Sequence, residues 1–399
     1  MNMCEEKFKE IEKIKEYNQQ KVLKSFMECE ISESHFNGTT GYGYNDRGRE
    51  KLEELFSNIF KTEDALVRHN FVSGTHTLTT ALFGILRPGD SFLGVTGKPY
   101  DTLEDVIGSP DKNQGSLYNF GINFEYIDFE KDKEKYFNSI KVKLLKKKFK
   151  MVYIQRSRGY SLRDSLSVLQ IKDIVSFVKN IDSEIIVMVD NCYGEFVEKQ
   201  EPSEVGADLI AGSLIKNPGG AISPTGGYIA GRKDLIDLCS YRLTAPGIGK
   251  EVGATIGTNR ELFMGIFNAP NVVAESLKTA VFASALFESL GYEVYPKFNE
   301  NRCDIVQSIV LENPQNLINF CKGIQEGSPV DSFVSPEPWE MPGYESKVIM
   351  AAGTFISGSS IELSADGPLR EPYTVWLQGG INFYASKIGI MKAAQRILY

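Results

Sequence analysis

Two stretches carry side chains that could do chemistry. In "VDNCYGEF", residues 189–196, a run of apolar residues ends on Asp190; in "GSLIKNPGG", residues 212–220, Lys216 stands among apolar and glycine residues. A carboxylate at the end of a strand costs free energy on burial unless a cation meets it. In an open α/β sheet, ligands bind beyond the carboxyl ends of the strands, where Asp190 is placed. The cation could be a partner arginine, or it could be a protonated ring nitrogen. Lys216, crowded by Leu214 and Ile215 and followed by Pro218, Gly219 and Gly220, reads as a poor surface lysine. Partial desolvation is expected to lower its pKa, as imine formation and proton transfer require.

A third stretch, "SGTHTLTTALFGILRPGD", opens a helix with Ser73, Gly74 and Thr75. The unpaired N–H groups at such an opening suit a phosphate, although serine and threonine are also ordinary helix caps. Ser213, three residues before Lys216, could add a hydroxyl. Phosphate, protonated ring nitrogen and lysine-bound aldehyde together describe pyridoxal 5′-phosphate, whose ring works as an electron sink. The ordered set of Ser-Gly-Thr, an aromatic residue, an aspartate at a strand end and S-x-x-K is more specific than any one of its members.

The elements that position these residues alternate. Helices are expected over 75–86, 101–107, 133–147 and 171–181, and strands over 91–96, 124–128, 151–155, 184–190, 208–212 and 227–230. Such alternation implies crossover connections and a mostly parallel sheet covered on both faces. An amphipathic helix over 5–27 needs a partner surface, and a loop over 34–50 gives way to a helix near Arg49. After about residue 264 the pattern changes to a long helix over 272–290, short strands and a last helix over 385–398. The reading is α/β with three parts: an N-terminal helix and arm over 1–60, a large α/β domain over 61–265 and a smaller α+β domain over 266–399.

Composition bounds the partners. Among 399 residues, 44 are basic and 52 acidic, a formal charge of −8 with the basic residues dispersed, which argues against a nucleic-acid partner. The lysine run of "LLKKKFK" reads as a solvated helix end. No apolar run approaches the length of a membrane span. The six cysteines form no C-x-x-C pair and do not cluster with the three histidines, so neither zinc nor a disulfide framework is expected and a reducing cytoplasm is the default. No G-x-G-x-x-G follows the first strand, which disfavours a dinucleotide-binding enzyme.

The motifs "TGYGYNDRGRE", "NFVSGTHT", "GKPYDTLEDVIG", "VDNCYGEF", "LIKNPGG" and "DGPLREPY" resemble fold-type I pyridoxal-phosphate enzymes. Within them they are most similar to the methionine γ-lyase-like family often labelled aluminium resistance protein, from about residue 30 onward. The resemblance implies the PLP-dependent transferase-like fold of aspartate aminotransferase. It implies that Gly74, Thr75 and Ser213 hold the phosphate, that Tyr100 stacks on the ring in competition with His76, that Asp190 meets the pyridine nitrogen, and that Lys216 holds the aldehyde and shuttles protons. Tyr44 and Arg47 match a segment that crosses to the neighbouring subunit's phosphate, implying a homo-oligomer, a dimer sharing active sites and assembled to a tetramer. Arg370 matches the arginine that clamps an amino-acid carboxylate, and Arg156 and Arg158, after a strand end, also face toward the expected pocket.

The resemblance implies a carbon–sulfur lyase acting on a sulfur-containing amino acid, by cystathionine β-lyase or methionine γ-lyase-like elimination. Where better-known lyases carry Ser-Pro and Asn-Pro, this chain has "QRSRGYSLRD", so substrate identity stays open. A transaminase or decarboxylase would use the same aspartate and lysine. A protein that binds the cofactor or an amino acid without turnover is the competing class, and nothing in these residues suggests a trivalent-cation site.

Overall fold

The computed structural model describes residues 2–341 and 346–399. Strands β1 (Asp64–Arg68), β2 (Ser91–Gly94), β3 (Asn123–Tyr126), β4 (Met151–Gln155), β5 (Ile186–Asp190), β6 (Leu209–Ser213) and β7 (Gly227–Gly231) form one sheet in the order β1-β7-β6-β5-β4-β2-β3. Neighbours from β6 to β3 run parallel, whereas β7 is antiparallel to both β6 and β1. β4, β5 and β6 are buried at every position, which is why their sequences read as unbroken apolar runs rather than alternating ones. Alternate residues still face opposite ways. Val152, Ile154, Val187, Val189 and Ile210 enter one core, and Met151, Tyr153, Met188, Leu209 and Ala211 the other.

Helices cover both faces. α3 (Gly74–Ile85) and α7 (Lys233–Leu243) bring Leu78, Leu82, Leu235 and Ile236 to the second core. α2 (Arg47–Phe60) and α6 (Val168–Ile181) bring Leu52, Phe56, Ile171 and Val175 to the first. α6 starts three residues before expectation because Ser167 and Gln170 cap each other's backbone N–H groups ahead of Val168. α4 (Asp101–Ile107) and α5 (Lys133–Lys146) complete this unit.

The sticky face of α1 (Glu5–Glu28) finds its partner in α8 (Asn259–Ser289). α8 begins well before residue 272, with Pro270 inside it. Proline removes one helical hydrogen bond, so it reads as a boundary in sequence. Here Ala269, Val272 and Val273 are all buried around it, and their packing outweighs that loss. Leu262 to Leu277 of α8 join the first core while Phe282 and Phe287 join a third, so a boundary at 265/266 falls inside one helix.

That third core belongs to a second sheet of β8 (Glu293–Tyr295), β9 (Gln307–Val310), β10 (Val348–Ala351), β11 (Ser364–Pro368) and β12 (Thr374–Gln378). Its order is β10-β11-β12-β9-β8, antiparallel throughout. α9 (Pro314–Glu326) and α10 (Phe383–Leu398) pack Phe320, Ile324, Ile390 and Ala393 against one of its faces. The strand β1 and the helix α7 are elements that the sequence pattern does not announce.

Candidate active site

Asp190 is the last residue of β5 and is 4% exposed. The backbone N–H of Cys192 donates to its Oδ1 at 3.1 Å and the Tyr153 hydroxyl to its Oδ2 at 3.3 Å. Burial pushes its carboxyl above the ordinary range, although Lys216 and these donors pull it down. A cation brought to it from the cavity would relieve that cost, which is the arrangement a protonated ring nitrogen needs.

Lys216 follows β6 in a loop whose neck is closed by the pairing of Ser213 with Gly227 across β6 and β7. The tight turn behind it requires Gly219, where a Cβ would lie 1.5 Å from the Leu214 carbonyl oxygen. Asn217 Nδ2 donates to the Glu195 carbonyl at 3.0 Å and fixes the turn from below. Lys216 Nζ sits 4.2 Å from the centroid of the Tyr193 ring. Tyr193 holds φ at +70°, a left-handed backbone that costs a tyrosine on the order of 1 kcal/mol or more.

Burial alone would lower the Lys216 ammonium, as the sequence suggests. The groups around it, Cys192, Tyr193, Asp190 and Tyr100, outweigh burial and hold it well above the ordinary lysine value. The expectation of a depressed lysine is therefore corrected in direction: with Asp190 beside it the amine is pushed up rather than down. Neutralising Asp190 from the cavity side removes one of the charges that keeps it so.

α3 opens toward this lysine. Ser73 caps it by accepting from His76 N–H at 3.1 Å, and a Cβ on Gly74 would meet Ser213 Cβ at 3.4 Å and both Cys192 Sγ and Lys216 Nζ at 3.8 Å. Gly74, Ser213 and Lys216 thus converge at the helix N-terminus. Thr75 Oγ1 shares hydrogen bonds with the Tyr100 hydroxyl at 3.1 Å and with Thr102 Oγ1 at 3.0 Å. The backbone N–H of Tyr100 donates to Gln155 Oε1 at 3.1 Å, which steadies the start of α4 beside the cavity.

A cavity of about 260 Å³ joins these groups, with Tyr100, Asp190, Tyr193 and Lys216 from the large unit and Asp366 and Trp376 from the second sheet. An outer chamber of about 550 Å³ shares Tyr100, Asp101, Gln155 and Tyr160 with it and includes Arg158 and Arg370. Arg370 is exposed there. Arg158 is 4% exposed and spends its guanidinium on the Tyr295 carbonyl at 3.1 Å and on Ser165 Oγ at 3.4 Å.

Four expected residues are placed apart from the inner cavity. His76 is turned back, its Nδ1 accepting from Val72 N–H at 3.2 Å and its ring edge-on to Phe71. Arg156 does not face the pocket: it is fully buried beneath it, donating to Asn191 Oδ1 at 2.8 Å, to the Gly194 carbonyl at 2.9 Å and to Glu198 Oε2 at 2.7 Å. Tyr44 is 61% exposed in the turn before α2, and Arg47 is exposed at its first residue. Sequence reasoning assigned nothing to Tyr193, although it lies three residues after Asp190 in a quoted motif, and nothing to Asp366, which opens the quoted "DGPLREPY".

The donor set fits pyridoxal 5′-phosphate: a helix N-terminus with a cradle that a Cβ at Gly74 would fill, and a buried carboxylate and a lysine amine that make no ion pair among the described residues. Fold and site together define the class of pyridoxal-phosphate-dependent lyases of fold type I, for which pyridoxal 5′-phosphate is the cofactor. The chain belongs to the methionine gamma-lyase family, whose profile matches residues 1–398.

Among solved structures it is similar to a carbon-sulfur lyase involved in aluminium resistance from Clostridium novyi NT, at 53% identity and a TM-score of 0.95, covering 100% of this chain and 94% of that one. It is 48% identical to the uncharacterised protein YnbB of Bacillus subtilis, over 98% of this chain and 93% of that protein. The fold extends to the pyridoxal-5′-phosphate dependent protein YhfS from Escherichia coli, at 16% identity and a TM-score of 0.65, covering 97% of each chain. No helix among the described residues is long and apolar enough to cross a membrane.

Proposed function

We propose that the protein eliminates a thiol from a sulfur-containing amino acid, as a carbon–sulfur lyase working at the β- or γ-carbon. The observation that carries this reading is Lys216 Nζ, without a hydrogen bond or ion pair among the described residues, set on the Tyr193 ring and facing the opening of α3, with the buried Asp190 in the same cavity. The sulfur leaving group is supported by the family and by the description of the Clostridium novyi relative.

The cofactor supplies, when bound, a sink for the electron pair left at the substrate α-carbon. Gly74, Thr75 and Ser213 hold its phosphate, and Asp190 holds the proton on its ring nitrogen. Tyr100 faces the ring, its hydroxyl held by Thr75. Lys216 Nζ would hold the aldehyde of the bound cofactor, and its amine, when free, would take the α-proton as general base and give a proton to the departing thiol. Arg370 clamps the α-carboxylate, with Arg158 behind it in the outer chamber. The exposed Tyr44 and Arg47 reach the phosphate of a neighbouring subunit, in a dimer that shares its sites and assembles to a tetramer.

The test is the visible spectrum of purified protein beside Lys216→Ala, with borohydride trapping mapped to a peptide, followed by assays for pyruvate, 2-oxobutyrate and free thiol. Cofactor trapped at Lys216 together with thiol release supports the proposal. Trapped cofactor with amino-group transfer and no thiol would make it a transaminase. Cofactor bound without any turnover would make it a binding protein.

A further inference from the structure

The second sheet turns a polar face toward the cavity. In β11 and β12, Ala365, Val375 and Leu377 enter the third core, so Ser364, Asp366, Thr374, Trp376 and Gln378 point the other way. Register pairs Ser364 with Gln378 and Asp366 with Trp376. All five are nine-tenths buried or more, at 1–8% exposure. Four of them, Ser364, Asp366, Trp376 and Gln378, line the same cavity as Lys216.

Their polar atoms are under-used. Ser364 Oγ, Trp376 Nε1 and Gln378 Oε1 have no hydrogen-bond partner among the described residues. Gln378 Nε2 donates to Asp366 Oδ2 at 2.8 Å, and the Tyr160 hydroxyl also donates to that carboxylate. Both donors are neutral. Burial lifts the Asp366 carboxyl to about 6, and Lys216 is the charged group that pulls it back. In the proposed reaction that lysine is engaged elsewhere. A carboxylate held only by neutral groups, beside an unpaired amide oxygen and an unpaired hydroxyl, is a poor structural element and a good acceptor set.

We propose that Asp366, Gln378 Oε1 and Ser364 Oγ form a subsite that reads a second ammonium group, carried on the side chain of the substrate. The inference rests on the lyase reading of the pocket and adds the class of amino acid that fills it. An ammonium brings three N–H donors and no acceptor, matching the three acceptors, and its charge supplies what Asp366 lacks. The α-amino group cannot serve here, because it is the group that goes to the cofactor at Lys216. Trp376 Nε1 is left to donate to an acceptor oxygen of the same distal fragment. Asp366 and Gln378 are thus specificity-determining residues for the part of the substrate that departs.

The test compares ligands that match in length and differ in the distal ammonium: L-lysine against L-norleucine, and L-ornithine against L-norvaline. None carries a leaving group. Binding to the holoenzyme is followed by the visible absorption of the cofactor and, separately, by calorimetry. The wild type is expected to bind each diamino acid at least about tenfold tighter than its neutral match, the difference one charged hydrogen bond makes. Asp366→Asn should bring the ratio to within about threefold of one, and Gln378→Met should lower it part-way. Unfolding temperature checks that both variants fold.

Equal affinities in the wild type would overturn the proposal. So would an equal loss for both members of a pair in Asp366→Asn, which would place Asp366 at the α-amino group or at Lys216. If calorimetry shows the ammonium preference while no ligand disturbs the cofactor absorption, the subsite stands and the lyase reading fails. If calorimetry detects no binding of any ligand, the subsite falls.

Discussion

Replacing Gly74 by alanine separates the folding role of the α3 opening from its role as an anion cradle. The new methyl would lie 3.4 Å from Ser213 Cβ and 3.8 Å from Cys192 Sγ and Lys216 Nζ, ordinary contact distances that require no movement of backbone. Alanine also has the higher helix propensity, by up to about 1 kcal/mol in a helix interior and less at a first position. The apo protein should therefore unfold at an unchanged or slightly higher temperature. The methyl does fill the space between the helix N-terminus, Ser213 and Lys216, where the proposed function puts the phosphate. Losing one charged hydrogen bond there costs about 1.5–3 kcal/mol, so the dissociation constant for pyridoxal 5′-phosphate should rise roughly 10- to 150-fold. Thermal unfolding of apo protein and equilibrium titration with the cofactor measure the two effects separately. A cofactor affinity within twofold of wild type, with an unchanged unfolding temperature, would refute the placement of the phosphate at this helix.

Asp190→Asn keeps shape while removing the buried charge, so turnover should fall by two orders of magnitude or more, as expected for stripping one partner from a buried ion pair, and steady-state kinetics would read it. If Arg370 clamps the substrate carboxylate as proposed, Arg370→Ala should raise KM for the amino acid about tenfold or more while leaving cofactor affinity in place. Arg68→Ala removes one of the two cationic partners of Glu53, a pair at 2.8 Å with both side chains 5% exposed, leaves Lys250 at 3.4 Å, and should lower the unfolding temperature by on the order of 5 °C. Asp366 should make stability depend on pH. Its carboxyl is raised from 3.8 to about 6 by burial, so the native state binds more protons than the unfolded chain between about pH 4 and 6 and loses stability as pH rises through that window. Asp366→Asn should accordingly stabilise apo protein by up to about 3 kcal/mol above pH 6 and by nothing below about pH 4, as denaturant titrations at several pH values would show.

The parallel strands were legible because burial on both faces leaves a simple trace: "MVYIQ", "IVMVD" and "LIAGS" are apolar runs of strand length bounded by polar or glycine residues. Asp190 and Lys216 were legible because their places, a strand end and a glycine-flanked loop, are visible without tertiary contacts. β1 was not, since "DALVR" becomes a strand only through its pairing with β7, and the reversed direction of β7 has no local signature. The charge state of Lys216 was misjudged for a related reason. Desolvation can be read from apolar neighbours in sequence, whereas Cys192, Tyr193, Asp190 and Tyr100 close around the amine only in the fold. Asp366, Trp376 and Gln378 were missed because a sheet face that lines a cavity alternates polar and apolar residues just as a face toward water does.

α8 spans the two units, giving Leu262 to Leu277 to one hydrophobic interior and Phe282 and Phe287 to another. Fraying of that helix would open both interiors, so the two sheets are expected to unfold in one cooperative transition, seen as a single coincident step by fluorescence and circular dichroism. A fragment cut at 265/266 would break the helix within its buried stretch and leave both halves with unburied apolar surface. Architecturally the chain has two sheets, yet the helix they share ties the walls of the cavity between them to a single continuous element.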